Sequence, residues 1–215
     1  MRIDRPKQLL ELHDTPILIY SIRKFDRCKA VSDVIVAAPR ESVAEVREMI
    51  RAAGFVKPVT VVEGGARRQD SVAAALRTLS PDTKIVAVHD AVRPLVRVSD
   101  IEAAIKQAEI HGAAILGIPI VDTVKKAERD FVDSTLAREH LVLVQTPQVF
   151  RTEVLREAFE RAERDGYYGT DESSLVERIG RPVFIVRGSD RNIKITRPSD
   201  LPLARMFLEE EEAEP

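Results

Sequence analysis

Ile85-Val86-Ala87-Val88-His89-Asp90-Ala91-Val92-Arg93-Pro94 is a run of β-branched and small apolar residues that stops at a carboxylate, with an arginine and a proline close behind. Four apolar residues without polar alternation suit a strand buried on both faces, as the strands of parallel sheets are. The same pattern recurs at Val34-Ile35-Val36-Ala37, Val59-Thr60-Val61-Val62, Ala114-Ile115-Leu116-Gly117-Ile118 and Val183-Phe184-Ile185-Val186. Between these runs the spacing becomes helical. Residues 40–53 place Val43, Val46, Met49 and Ile50 on one stripe, and residues 99–111 open on Ser99-Asp100-Ile101-Glu102, a capping-box pattern. Strand, helix, strand in this order predicts right-handed crossovers, and hence an α/β fold with a Rossmann-like, mostly parallel sheet and helices on both faces.

One stretch breaks the alternation. Thr123-Val124-Lys125-Lys126 and Phe131-Val132-Asp133-Ser134 flank the polar Ala127-Glu128-Arg129-Asp130, which predicts a β-hairpin arm over about residues 120–145. A projecting hairpin leaves strand edges open, and a second subunit is a common cover, so a homodimer built through this arm is expected. With no internal repeat or low-complexity linker, residues 1–208 read as a single domain. Glu209-Glu210-Glu211-Glu212-Ala213-Glu214-Pro215 reads as a frayed helix end and solvated tail.

The 215 residues carry 33 Lys plus Arg against 35 Asp plus Glu, a net charge of -2 that leaves no excess basicity for a nucleic-acid backbone. Apolar residues make up 44% and charged residues 32%, which excludes fibrous and disordered classes. A single cysteine, Cys28, allows neither an intramolecular disulfide nor a cysteine-rich zinc site, so a reducing compartment is expected. No apolar stretch approaches the roughly 18 residues of a membrane span, and no apolar h-region follows the charges of residues 1–7. A cytoplasmic protein without a membrane partner is the expectation.

In open parallel sheets ligands bind beyond the carboxyl ends of the strands. After residues 59–62 comes Glu63-Gly64-Gly65-Ala66-Arg67-Arg68-Gln69-Asp70-Ser71, where Gly64 and Gly65 allow close backbone approach and Ser71 stands near a helix start. A tight strand-to-helix turn with an N-cap explains the same residues. After residues 85–88, Asp90 is placed to hold Mg²⁺ by oxygen and Arg93 to meet a phosphate, or else the two pair at a turn. His89 lacks a second histidine at ligand spacing and reads as a packing or hydrogen-bonding residue. Lys7, Arg138, Thr146 and Lys194 add cations and a hydroxyl that favour a small anionic substrate, for which phosphate is the natural candidate.

These blocks stand in one order along the chain: Pro6-Lys7-Gln8, Gly64-Gly65-x-x-Arg68-Gln69-Asp70-Ser71, His89-Asp90-Ala91-Val92-Arg93-Pro94, Asp122-Thr123-Val124-Lys125, Thr135-x-x-Arg138, Gln145-Thr146-Pro147-Gln148, Thr170-Asp171-Glu172-Ser173-Ser174-Leu175-Val176-Glu177 and Asn192-Ile193-Lys194-Ile195-Thr196. In that order they resemble the 2-C-methyl-D-erythritol 4-phosphate cytidylyltransferases of non-mevalonate isoprenoid biosynthesis. The resemblance implies a nucleotidyltransferase-type fold and transfer of a cytidylyl group from CTP to a sugar-alcohol phosphate with Mg²⁺, releasing pyrophosphate. It assigns Asp90 to the metal and Gly65, Ser71 and Ala91 to the cytidine side, with Gly64 and Arg93 among the substrate-binding residues. Lys7 would stabilise transition-state charge, while Arg138, Lys194, Thr123 and Thr146 would position the methylerythritol phosphate, the hairpin residues reaching into the partner's site.

The family pattern also places a strand and a glycine-rich loop, Ala-Ala-Gly-x-Gly-x-Arg-Met, before Pro-Lys-Gln, and Met1 falls where that methionine would stand. One expectation is that codons upstream encode these elements; the other is a shortened, non-catalytic nucleotide-binding dimer. Whether Arg2 stands in for the loop arginine is open. On either view the 215-residue chain by itself is expected to be weakly stable and weakly active. Ribitol 5-phosphate cytidylyltransferases share the Gly-Gly, Asp-x-x-Arg-Pro and Gln-Thr-Pro-Gln blocks, but the acceptor-side residues 122–125 and 135–138 favour the methylerythritol enzyme.

Overall fold

The structure, a computed structural model, describes residues 6–213, so Arg2 and residues 214–215 lie outside it. The first half runs β1 (Glu11–Leu12), β2 (Thr15–Pro16), α1 (Ile17–Arg27), β3 (Val34–Ala38), α2 (Val43–Ala53), β4 (Val59–Glu63), α3 (Arg68–Leu76), β5 (Ile85–Val88) and α4 (Val98–His111). The second runs β6 (Ala113–Pro119), β7 (Val124–Glu128), β8 (Phe131–Leu136), β9 (Val142–Arg151), α5 (Thr152–Arg164), α6 (Glu172–Arg178), β10 (Phe184–Arg187) and α7 (Asp200–Ala213). All five strands read from the sequence form, as β3, β4, β5, β6 and β10.

The main sheet has the order β10-β6-β9-β5. β10 pairs parallel with β6, whereas β9 pairs antiparallel with both β6 and β5, so β5, β6 and β10 share one direction and β9 runs against them. The sequence does not announce β9, because Gln145, Thr146, Pro147 and Gln148 interrupt its apolar pattern. Tertiary bonding overrides that: the register slips between Ile115 and Leu116, leaving Thr146 and Pro147 in an irregularity where a proline needs no ladder partner.

Successive side chains of a strand point to opposite faces of the sheet. Ile85 and Ala87 of β5 pack with Phe25 of α1 and with Ile101, Ala104 and Ala108 of α4. Val86 and Val88 face the other way, onto Leu76 of α3, Leu155 of α5 and Leu175 of α6. Helices thus cover both faces. α4 begins one residue before the expected capping box, and its N-cap is Arg97 rather than Ser99. The Asp100 carboxylate accepts from Arg97 Nε and Nη2, at 2.9 and 3.0 Å, an ion pair at the start of a helix that has no side-chain cap.

β3 and β4 form a separate parallel pair. Between β3 and β5 lies a cavity of about 610 Å³, lined by residues 34–37 and 85–88 and closed by Leu18, Ile22 and Phe25 of α1 and Val72 of α3. Its mouth carries Ser71, Asp90 and Lys194, so the strand ends and the cavity meet at one place.

The hairpin forms as expected, with Glu128 opposite Phe131 and Val124 opposite Leu136. Arg129 turns it with a φ of 53°, in the left-handed region that two-residue hairpin loops require. The arm is exposed along its length, Phe131 at 80%. The acidic run is helical up to Ala213, and Glu211 pairs with the buried ammonium of Lys24 on α1. Glu209 and Glu210 reach His13 and Arg191 while staying exposed, so this end of α7 is tethered to the body and still solvated. Among the described residues no helix is long and apolar enough to cross a membrane.

Candidate active site

β5 delivers Asp90 to the end of the sheet, and β9 fixes its backbone. The Asp90 N–H donates to Thr146 Oγ1 at 3.0 Å, and Thr146 Oγ1 lies 3.0 Å from His89 Nδ1. His89 Nε2 is 3.0 Å from the Arg93 carbonyl, which can only accept, so Nε2 carries the proton and Nδ1 accepts the Thr146 hydroxyl. Burial drives the His89 pKa down to about 4, so the neutral ring this relay needs persists at neutral pH. His89 is thus the hydrogen-bonding residue expected. Thr146, expected at the substrate, is buried here with its hydroxyl occupied in supporting Asp90.

The Asp90 carboxylate stands among cations. Oδ1 accepts Arg68 Nε at 3.0 Å, Oδ2 accepts Lys194 Nζ at 2.8 Å, and Arg93 Nε is 3.9 Å from Oδ2. Burial raises its pKa, but Arg68 and Lys194 outweigh that and hold it at about 2. Arg68 in turn donates to both oxygens of Glu172, at 2.5 and 2.7 Å. Glu172 opens α6 with a side chain only 1% exposed, and burial raises its pKa despite the guanidinium. The N-cap of that helix is Asp171, which accepts from Ser174 N at 3.0 Å and from Gln148 on β9 at 2.7 Å.

Gly64 and Gly65 have a packing reason for their identity. A Cβ on Gly64 would lie 2.8 Å from Ser71 Oγ, and one on Gly65 would lie 2.3 Å from Asp70 Cβ. Their amides turn inward: Gly64 N donates to the Ala38 carbonyl at 2.8 Å and Gly65 N to Ser71 Oγ at 3.1 Å. Arg67 is the N-cap of α3, and Asp70 in the first turn accepts its backbone N–H at 3.0 Å. Ser71 borders the cavity mouth with Ala91, Asp90 and Lys194.

Arg93, expected to meet a phosphate, has its guanidinium on protein carbonyls, those of Asn192 at 2.7 Å and Val144 at 3.4 Å. It thereby ties the segment bearing Lys194 to β9. Lys7 Nζ donates to the Thr196 carbonyl, which brings the Pro6-Lys7-Gln8 block against the same segment. Thr123 and Arg138 lie elsewhere, lining a second pocket of about 320 Å³ at the base of the hairpin, where Arg138 donates to the Val121 carbonyl. One chain therefore gathers Ser71, Asp90, Ala91 and Lys194 in one place and Thr123 and Arg138 in another.

The sequence reading assigned no role to Arg68 or Glu172, although both stood inside the quoted blocks. Their pairing spans 104 positions, and no local pattern couples them.

A strand-end carboxylate ringed by Arg and Lys, on a Rossmann-like sheet with a projecting hairpin, defines a nucleotidyltransferase-type site. The chain belongs to the 2-C-methyl-D-erythritol 4-phosphate cytidylyltransferase family, whose profile matches residues 1–210. It is 48% identical over 211 residues to the enzyme of that name from Solibacter usitatus, covering 96% of this chain and 86% of the relative. The crystal structure of the Thermus thermophilus enzyme is 33% identical with a TM-score of 0.79, over 95% of this chain and 94% of that one. That of 4-diphosphocytidyl-2C-methyl-D-erythritol synthase from Anaerococcus prevotii is 26% identical with a TM-score of 0.86, over 93% and 88%.

Proposed function

We propose that the protein transfers the cytidylyl group of CTP to 2-C-methyl-D-erythritol 4-phosphate, giving 4-diphosphocytidyl-2-C-methyl-D-erythritol and pyrophosphate. The observation that carries this reading is Asp90, ionised and held between Arg68 and Lys194 at the mouth of the strand-end cavity, in a chain of this family. The acceptor's phosphate oxygen attacks the α-phosphorus of CTP as the bond to the bridging oxygen of pyrophosphate breaks. A phosphate monoester has a second pKa of about 6, so the nucleophile is already ionised at neutral pH and no general base is required. Catalysis is then alignment and charge neutralisation, which cationic side chains supply. Lys7 would stabilise charge in the transition state, and Lys194, Thr123 and Arg138 would position the acceptor's phosphate.

Asp90 is the residue that would ligate a divalent cation of the Mg²⁺ type, which would take the place of Lys194 on Oδ2. Asp90 is an oxygen donor ionised down to about pH 2, and Mg²⁺ in such sites uses one or two carboxylates together with substrate phosphates. Among the described residues no group of three or more His, Cys, Asp or Glu could hold the ion without them. When bound, the cation would neutralise triphosphate charge beside Asp90.

The arm supports a homodimer. Phe131 and Val132 of the hairpin and Leu143 of the adjoining β9 are 80%, 64% and 52% exposed, a concentration of apolar side chains that association would cover. A partner's arm carrying Thr123 and Arg138 to the Asp90 site would unite the two groups of residues. Pyrophosphate release with CTP and Mg²⁺, given methylerythritol phosphate or ribitol phosphate, tests the reaction. Release with the first acceptor alone is expected. Release only with ribitol phosphate, or CTP binding without release, would overturn it.

A further inference from the structure

The pocket at the base of the hairpin is lined by Thr123, Thr135, Leu136, Ala137, Arg138 and Glu139. Arg138 and Glu139 set one positive charge against one negative, so the lining by itself is neutral. A phosphate monoester brings about 1.5 to 2 negative charges at pH 7, which a neutral lining does not balance. A further cation reaches the pocket wall from the opposite strand. Lys125 on β7 stands directly across from Thr135 on β8, and its Nζ donates to Thr135 Oγ1 at 2.6 Å. The neighbouring Lys126 is committed to the Asp133 carboxylate at 2.8 Å, whereas among the described residues Lys125 pairs with no carboxylate.

An ammonium can only donate, so the Thr135 oxygen accepts from Lys125, and the single hydroxyl proton is left to be donated elsewhere. A hydroxyl without such a neighbour serves as donor or acceptor alike; this one is committed as a donor at the wall of the pocket. The same bond holds a positive charge beside it. We propose that Lys125 and Thr135 form a phosphate-binding pair: Thr135 Oγ1 donates to an oxygen of the acceptor's phosphate, while Lys125 fixes that polarity and supplies the charge that offsets Glu139. Hydrogen bonds to an ionised oxygen are of the stronger class. The pair deepens, and rests on, the reading that the Arg138 pocket positions the acceptor's phosphate.

The test is pyrophosphate release by the full chain with CTP and Mg²⁺, each substrate varied in turn, for wild type, Lys125→Met, Lys125→Arg, Thr135→Val and Arg138→Ala. Lys125 and Thr135 are both exposed, so neither substitution opens the core. Lys125→Met and Thr135→Val are each expected to raise KM for methylerythritol phosphate by about tenfold, the scale of a lost hydrogen bond to a charged group. KM for CTP should stay within about twofold and kcat within about threefold, because a donor that holds the phosphate before and during transfer contributes uniform binding. Lys125→Arg, which keeps a cation and a donor, is expected to remain within about threefold of wild type. An unchanged acceptor KM in Lys125→Met or Thr135→Val, with Arg138→Ala impaired, overturns the pair alone. So does a loss in Lys125→Arg as large as that in Lys125→Met, or an equal rise in KM for both substrates, since a merely structural contact within the arm predicts either. Arg138→Ala that turns over as wild type does, or wild type that releases no pyrophosphate, overturns the acceptor reading and this proposal with it.

Discussion

His89 Nδ1 lies 3.0 Å from Thr146 Oγ1, so a neutral imidazole holds the hydroxyl that in turn accepts the backbone N–H of Asp90. Protonation of that ring would remove the acceptor and undo the relay. The pKa of His89 is about 4 in the folded protein, against about 6.5 in an unfolded chain. A lowered folded pKa means that the unfolded state takes up the proton first as pH falls. The contribution is therefore whole above about pH 6.5 and is lost towards pH 4, up to roughly 3 kcal/mol. Urea unfolding from pH 7.5 to 4.5 should show this slope, and His89→Asn should flatten it; an unchanged slope would contradict the relay.

Asp90 contributes in a lower window. Its folded pKa of about 2 lies below the unfolded value near 3.9, so its stabilisation is present above that value and is lost as pH falls towards 2. Because its charge organises Arg68 and Lys194, Asp90→Asn should lower kcat by about 100-fold or more, with secondary structure retained. Loss of less than about threefold would remove Asp90 from the reaction.

Gly65→Ala should be destabilising although it adds one methyl group. That methyl would start 2.3 Å from Asp70 Cβ, so the start of α3 must move, and Arg68 and Ser71 with it. A loss of about 2 kcal/mol is expected from thermal unfolding, together with weakened CTP binding. A variant as stable as wild type would mean that the turn relaxes freely.

Two inactive variants should complement each other if the arm completes a partner's site. Mixing Asp90→Asn with Arg138→Ala gives mixed dimers in which one site receives Asp90 from one chain and Arg138 from the other. Random exchange should then restore about a quarter of wild-type turnover, since half of the dimers each regain one of two sites. No recovery, with subunit exchange verified by mass spectrometry, would place both residues of a site on one chain.

The cavity between β3 and β5 leaves apolar side chains facing open space. The 215-residue chain is accordingly expected to unfold at a low urea concentration and to enhance the fluorescence of a hydrophobic dye under native conditions. A cooperative transition above about 4 M urea without dye binding would contradict this.

The sequence alone determined five strands, the hairpin and the placing of Asp90 at a strand end, because these depend on local apolar patterning and turn residues. It did not reveal β9, whose Gln145, Thr146 and Gln148 read as loop polarity until side-chain and backbone bonds across the sheet satisfy them. Nor did it distinguish a phosphate-binding Arg93 from one bound to the carbonyls of Asn192 and Val144, because either use requires only an arginine after the strand. Only the tertiary structure set Glu172 against Arg68 and Arg68 against Asp90. The energy of such buried charges depends on distances between residues far apart in the chain, and those distances exist only once the sheet and its helices have closed.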